Sequence, residues 1–170
     1  MNASIPVIAD PKVTRHILSA FHLRASKRLG QNFLVDAGVV RAIVDAADLS
    51  PADTVLEIGP GIGTLTQALA ETGAQVTAVE IDKKLPAVLA ETLAGYDNVT
   101  IVPGDILKAD IPAIMGEGAF KVVANLPVPA PSHPASGRVR KIKVQCVGAV
   151  SASAAAASSA EGLSVWVWVG

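Results

Sequence analysis

A glycine-rich segment, Glu57-Ile58-Gly59-Pro60-Gly61-Ile62-Gly63, lies where the sequence pattern changes from a strand to a helix. Residues without a Cβ atom permit such a sharp turn, and they let a ligand lie against the backbone at the carboxyl edge of a sheet. A nucleoside triphosphate loop is disfavoured because no Lys-Ser or Lys-Thr pair follows. A dinucleotide loop is the weaker alternative, since Thr64 and Thr66 occupy the two positions open to its third glycine.

Two acidic residues follow the next two predicted strands. Glu80 closes the second strand, where a carboxylate can accept hydrogen bonds from both hydroxyls of a ribose. Asp105 closes the third and precedes apolar Ile106, a pair suited to an adenine ring whose amine donates to the carboxylate. Each acid alone is more typical of a solvated loop at the end of a strand. Their joint positions after consecutive strands favour a nucleoside-binding edge.

The tripeptide Asn125-Leu126-Pro127 ends the fourth predicted strand. An adenine amine is a poor nucleophile because its lone pair is delocalised into the ring. The carboxamide oxygen of Asn125 and a neighbouring backbone carbonyl can accept its two N–H hydrogens and favour the pyramidal nitrogen that attacks a methyl group. This arrangement needs no ionisable base. The tripeptide alone is weak support, because it is also a common way to end a strand.

Alternating strands and helices must position these residues. The β-branched runs predict strands at 54–58, 75–81, 98–102 and 120–124. Helical spacing predicts crossovers at 64–71, 85–93 and 110–115, and two earlier helices at 13–23 and after Asp36, whose side chain can cap the helix. We expect Pro86 to delay or distort the second crossover helix. This rhythm predicts an α/β fold with a doubly wound parallel sheet.

The composition restricts the class of protein. The 170 residues are 51% apolar with a net charge of -1, which suffices for one ordinary core. The mean hydropathy of +0.46 comes mostly from scattered alanine and valine, and no apolar run reaches the roughly 18 residues of a spanning helix. We therefore expect no membrane association. Cys146 is the single cysteine and His16, His22 and His133 do not cluster, so we assign no disulfide and no metal.

The near-zero net charge hides a basic N-terminal arm. Residues 1–30 carry five basic side chains against one acidic, residues 31–127 carry five against thirteen, and residues 128–170 carry four against one. Such an arm can contact phosphates, although a solvated segment explains its charge equally well. The first ten residues lack the basic start and apolar run of a secretory signal, so we expect a cytoplasmic protein.

The character of the chain changes after residue 127. Residues 128–134 are rich in proline and predict coil, residues 139–147 can form an exposed strand, and residues 151–160 are a tract of alanine and serine. The ending at 165–169 has a composition that favours edge pairing or aggregation. We predict a basic arm and helix at 1–23, a core at 24–127 and a divergent, poorly ordered tail at 128–170. The fourth strand would be an exposed edge unless residues 141–147 pair with it.

In this order, the motifs resemble those of the ribosomal RNA adenine N6-dimethyltransferases of the KsgA type, from about Arg24 to Pro127. Residues 27–34, Lys-Arg-Leu-Gly-Gln-Asn-Phe-Leu, are similar to the N-terminal signature of that family, and the glycine segment is similar to its cofactor loop. The resemblance implies a Rossmann-like, S-adenosylmethionine-dependent methyltransferase fold with an incomplete parallel sheet. It also implies a monomeric enzyme that dimethylates adenines of small-subunit ribosomal RNA.

The resemblance further implies roles for individual residues. The cofactor would be held by Asn32, Leu34, Gly59, Gly61, Glu80, Asp105, Ile106 and Asn125, with Glu80 on the ribose and Asp105 on the adenine. The catalytic motif would be Asn125, Leu126 and Pro127, with Asn125 on the target amine. The RNA would be contacted by Arg24, Lys27 and Arg28.

The sequence departs from the family pattern at Val128, where the family has an aromatic residue that stacks on the flipped adenine. The three further strands and the C-terminal helical domain of the family are not recognisable in residues 128–170. We hypothesise a shifted reading frame or a misassigned gene end, and we expect impaired turnover. The alternatives are a non-catalytic fragment that binds S-adenosylmethionine or RNA and, more distantly, a nicotinamide-dependent oxidoreductase.

Overall fold

The computed structural model describes residues 5–23 and 36–125, together with the backbone of strands at 138–143 and 164–169. The helices of this part are α1 (Pro11–Ala20), α2 (Ala37–Ala47), α3 (Thr64–Ala70), α4 (Leu85–Thr92) and α5 (Ile111–Met115). The strands are β1 (Thr54–Ile58), β2 (Gln75–Glu80), β3 (Val99–Pro103), β4 (Lys121–Asn125), β5 (Arg138–Lys143) and β6 (Ser164–Val169).

The strands form one sheet in the order β3-β2-β1-β4-β6-β5. Strands β1 to β4 pair in parallel, β6 pairs in parallel with β4, and β5 is antiparallel to β6. The first four agree with the predicted strands to within one residue at each end, which confirms the α/β fold. The strand order reverses between β1 and β4, and in doubly wound sheets this reversal creates the crevice in which ligands bind.

Two predicted helices need correction at their ends. Helix α1 ends at Ala20, because His22 has a positive φ of 52° that a right-handed helix cannot continue. Pro86 does not delay α4, which begins at Leu85. This proline lies in the first turn, where its missing N–H would have had no partner within the helix. No helix in the described ranges is long and apolar enough to cross a bilayer.

Helices cover both faces of the sheet. One face is formed by α2 and α3 over the first, second and fourth strands, and it buries Val40, Ile43, Leu65, Leu69, Val55, Val76 and Val123. The other face buries Leu56, Val79, Val122 and Ala124 beside partly buried residues of α5. A third cluster joins α1 and α4 to Ile62 of the glycine segment. The glycine segment is therefore held by packing on α4 as well as by its own strand and helix.

The outer strands correct the expectation of an exposed fourth strand. Strand β4 pairs with β6, from Val122 opposite Val165 to Asn125 opposite Trp168. A run of valine and tryptophan has high β-propensity, and an unpaired edge offers it a row of backbone donors and acceptors. Residues 138–143 pair with the outer side of β6 instead of with β4.

Candidate functional site

The carboxyl ends of the four central strands meet at one edge of the sheet. Ile58 lies in register with Val79 and with Ala124, and Glu80 lies in register with Pro103. Two hydrogen bonds extend the pairing beyond the strands: Gly59 N–H to the Val79 carbonyl at 3.0 Å, and Gly104 N–H to the Glu80 carbonyl at 2.8 Å. Neighbouring strands lie about 5 Å apart. The glycine segment, Glu80 and the turn that carries Asp105 are thus brought together, as the sequence predicted.

The three glycines of the loop all have left-handed backbone conformations. Their φ angles are 70° at Gly59, 62° at Gly61 and 93° at Gly63. Residues other than glycine rarely adopt these φ angles, so the path of the loop requires glycine. The loop is anchored by Ile62, whose side chain is 1% exposed and whose carbonyl accepts a hydrogen bond from Thr92 Oγ1 at 3.1 Å. The backbone that would meet a ligand is therefore already formed.

Glu80 joins the glycine loop to the second strand. Its side chain is 4% exposed. Oε2 accepts from the N–H of Gly61 at 3.1 Å, and Oε1 accepts from the N–H of Asp82 at 2.7 Å. Burial raises the pKa of Glu80, and the N–H donors of Asp82 and Gly61 act against that rise. A carboxylate oxygen has two lone pairs, so each oxygen can still accept a hydroxyl of a ligand.

Asp105 occupies a tight turn just beyond β3. Its Oδ1 accepts from the N–H of Leu107 at 3.0 Å, which fixes the carboxyl group at the sheet edge. The adjacent Ile106 is partly buried and packs against the buried cluster that includes Leu56 and Val79. The pair thus presents an acceptor and an apolar surface on one turn, as predicted for a base.

A second apolar residue at this edge was missed by the sequence reasoning. Ile81 directly follows Glu80, and its side chain remains 51% exposed although it is large and apolar. The available sequence signal was a large apolar residue directly after the acid that closes the second strand. Ile81 gives the edge a further surface against which a flat ring can pack.

Glu57, the first residue of the glycine segment, carries the most unusual polar group of the site, and the sequence pattern alone did not predict this. The residue is 1% exposed, and Oε2 has no hydrogen-bond partner in the part of the chain that the structure describes. Burial raises the pKa of Glu57 to about 8, the hydroxyl of Thr66 opposes the rise, and the charge of Glu80 adds to it. The signal was an acid placed inside an otherwise apolar strand.

Two threonines of α3 share this condition. Thr64 is 4% exposed and Thr66 is fully buried, and the Oγ1 atoms of both lack a hydrogen bond of good geometry within the described residues. A buried polar atom without a partner costs about 1–3 kcal/mol. Glu57 Oε2 and the two threonine hydroxyls are therefore three buried polar atoms that lower the stability of the fold near the glycine loop.

Asn125 is the last residue of β4, one position beyond the register pair of Ala124 and Ile58. It is partly buried and lies at the same edge as the glycine loop. The remaining predicted site residues, namely Arg24, Lys27, Arg28, Asn32, Leu34, Leu126 and Pro127, lie outside the described residues. The predicted roles of all site residues therefore stay predictions, while the positions of the described ones agree with a single site.

Comparison with known proteins identifies the family. A family model described as "Ribosomal RNA adenine dimethylase" matches residues 22–134. The chain belongs to this family. The ribosomal RNA adenine dimethylase match includes the glycine loop, Glu80, Asp105 and Asn125, and it stops before β5 and β6.

Curated relatives agree with this assignment. Ribosomal RNA small subunit methyltransferase A of Leuconostoc citreum (strain KM20) is 50% identical over 130 residues, which are 74% of this chain and 44% of that protein. The protein of the same name from Ligilactobacillus salivarius (strain UCC118) is 48% identical over 132 residues, covering 75% and 45%. The chain thus spans less than half the length of these curated relatives.

A solved structure also matches the fold. The crystal structure of 23S rRNA methyltransferase ErmE aligns with a TM-score of 0.51 and 41% sequence identity, covering 56% of this chain and 38% of that one. The family model thus shows the family, and this structural match supports the α/β sheet.

Proposed function

We propose that the chain binds S-adenosylmethionine at this edge and dimethylates the N6 amine of adenines in small-subunit ribosomal RNA, with impaired turnover. The observation that carries the proposal is the buried Glu80 carboxylate, bonded to the N–H of Gly61 at the edge shared by Asp105 and Asn125. The family match supports the reaction class.

The site residues fit a nucleoside cofactor. In our proposal, Gly59 and Gly61 give close access to the amino-acid part, and Glu80 accepts the ribose hydroxyls. Asp105 accepts from the adenine amine, with Ile106 and the newly found Ile81 against the ring. Asn32 and Leu34 close over the cofactor. When bound, S-adenosylmethionine supplies an electrophilic methyl group.

Asn125 positions the target base in this proposal. Its carboxamide oxygen accepts an N–H of the adenine amine, and a backbone carbonyl in the Asn125-Leu126-Pro127 motif accepts the other. These bonds favour a pyramidal nitrogen without removing a proton first. Val128 provides no aromatic surface for the base, which is why we expect turnover to be impaired.

We assign small-subunit ribosomal RNA as the partner, contacted by Arg24, Lys27 and Arg28 through phosphate charges. The names of the curated relatives support this substrate. We propose that the protein is a monomer. We also place it in the cytoplasm, where immature small subunits are accessible.

A non-catalytic module that binds S-adenosylmethionine or RNA is the second candidate, and Val128 is the observation that favours it. Calorimetry with S-adenosylmethionine and methyl transfer to immature small subunits separate the two. The enzyme predicts product formation that is lost in Asn125→Ala. The module predicts binding that is lost in Glu80→Ala, with no product from the wild type. Absence of both binding and product would contradict both candidates.

A further inference from the structure

The buried carboxyl group of Glu57 is not used by the function proposed above. Its register partners are Ala78 on β2 and Val123 on β4, both with 0% exposure, so neither neighbouring strand offers it a hydrogen-bonding side chain. The residue lies two positions before Gly59, at the base of the glycine loop. Its Oε2 atom and the hydroxyls of Thr64 and Thr66 are the three buried side-chain atoms without a partner among the described residues.

The groups that face Glu57 do not include a compensating cation in the described ranges. From the end of β2, the charged neighbour is Glu80, which is itself an acid. Helix α3 contributes the neutral hydroxyl of Thr66, and β4 contributes Val123. Helix α2, which packs on α3, carries Arg41 and Asp45 on its exposed side. An unpaired carboxylate in such surroundings is strongly disfavoured relative to the neutral acid.

A positive charge on the glycine loop would reverse this balance. Glu80 already binds the loop through Gly61, and its charge acts on Glu57, so a cation resting on the loop would act on both carboxyl groups. An opposite charge a few ångströms away favours the ionised form of a carboxyl group. The ionised Glu57 would then accept a charge-assisted hydrogen bond from the buried hydroxyl of Thr66, stronger than the bond that the neutral acid accepts.

We infer that Glu57 is a proton-linked positioning residue: it is a neutral acid before binding and releases its proton when the cationic amino-acid part of the ligand occupies the glycine loop. The inference rests on the proposed binding of S-adenosylmethionine and adds a regulation to that site. In the step, the O–H bond of the Glu57 carboxyl group breaks, its electron pair stays on oxygen, and the proton passes to water and then to the buffer. The carboxylate accepts from Thr66 in the bound state.

Titration calorimetry with S-adenosylmethionine tests this step directly. Binding is measured at pH 7 in two buffers of different protonation enthalpy, and the difference in heat counts the protons released. With a pKa of about 8 before binding, the wild type should release about 0.9 proton more than Glu57→Gln. Its affinity should rise about 20-fold from pH 6 to pH 7.5, beyond any change in Glu57→Gln. The matched control is Glu71→Gln, an exposed acid at the end of α3 that should behave as the wild type.

Equal proton release in the wild type and in Glu57→Gln would overturn the inference while leaving the proposed function intact. No binding heat in the wild type would remove the proposed function together with the inference. If Glu57→Gln does not fold, Thr66→Val replaces it. That variant lacks the hydroxyl that favours the ionised carboxyl group, so the midpoint of proton release should move to higher pH. An unmoved midpoint would count against the inference, as would ¹³C NMR that shows Glu57 titrating near 4.5 in the ligand-free protein.

Discussion

The N–H of Gly61 donates a hydrogen bond of 3.1 Å to Oε2 of Glu80. The acid that closes β2 therefore also fixes the loop that follows β1, and ligand contact and loop geometry depend on the same carboxyl group. Gly61 itself has a φ of 62°, in the left-handed region that favours glycine, so this hydrogen bond is made at a position where the loop path requires glycine.

Replacing Glu80 by glutamine tests this dual role. Glu80→Gln keeps the shape but removes a charged acceptor, and hydrogen bonds to charged groups are worth about 1.5–3 kcal/mol. We expect the affinity for S-adenosylmethionine to fall about 10- to 100-fold, as measured by calorimetry. Glu71→Gln is the control because this exposed acid lies away from the sheet edge and contacts Tyr96. Unchanged affinity in Glu80→Gln would refute the ribose role.

The conformation of Gly61 should make alanine costly there. Gly61→Ala forces a side chain into the left-handed region, which costs about 1–2 kcal/mol. We expect the free energy of unfolding in urea to drop by that amount. Gly104→Ala is the matched control, because Gly104 has no positive φ and an added Cβ would meet nothing within 4 Å. Equal stability of the two variants would show that the loop can relax around the new side chain.

The sequence was sufficient to predict the central sheet and the meeting of Glu80 and Asp105. A parallel sheet places all strand ends at one edge, so the positions of these acids at the ends of consecutive strands decided the geometry. Two features could not be predicted from the sequence pattern. The neutral environment of Glu57 depends on Ala78 and Val123 from other strands. The pairing of β6 with β4 joins segments about 40 residues apart, and such long-range pairing has no local signature.

The ionisation of Glu57 should also make stability depend on pH. Its folded-state pKa of about 8 lies above the ordinary value of 4.5. Between these values the unfolded chain has lost the proton that the folded chain retains. The contribution of the protonated Glu57 to the free energy of unfolding is thus complete below pH 4.5. It is lost as the pH rises toward 8, by about 1.4 kcal/mol per pH unit. In urea unfolding from pH 5 to pH 8, the wild type should lose stability with this additional slope relative to Glu57→Gln. Parallel curves would mean that the carboxyl group ionises normally.

The identity of residue 128 should limit catalysis more than cofactor binding. Val128→Phe introduces a ring directly after the Asn125-Leu126-Pro127 motif, and stacking of a base on an aromatic side chain is worth about 1–3 kcal/mol. We expect kcat/KM for methyl transfer to immature small subunits to rise by about 10- to 100-fold, with the affinity for S-adenosylmethionine unchanged. Val128→Leu is the control, since it adds apolar volume without a π-face. An equal gain in both variants would indicate a packing effect. No gain in Val128→Phe would show that the missing aromatic residue does not limit turnover.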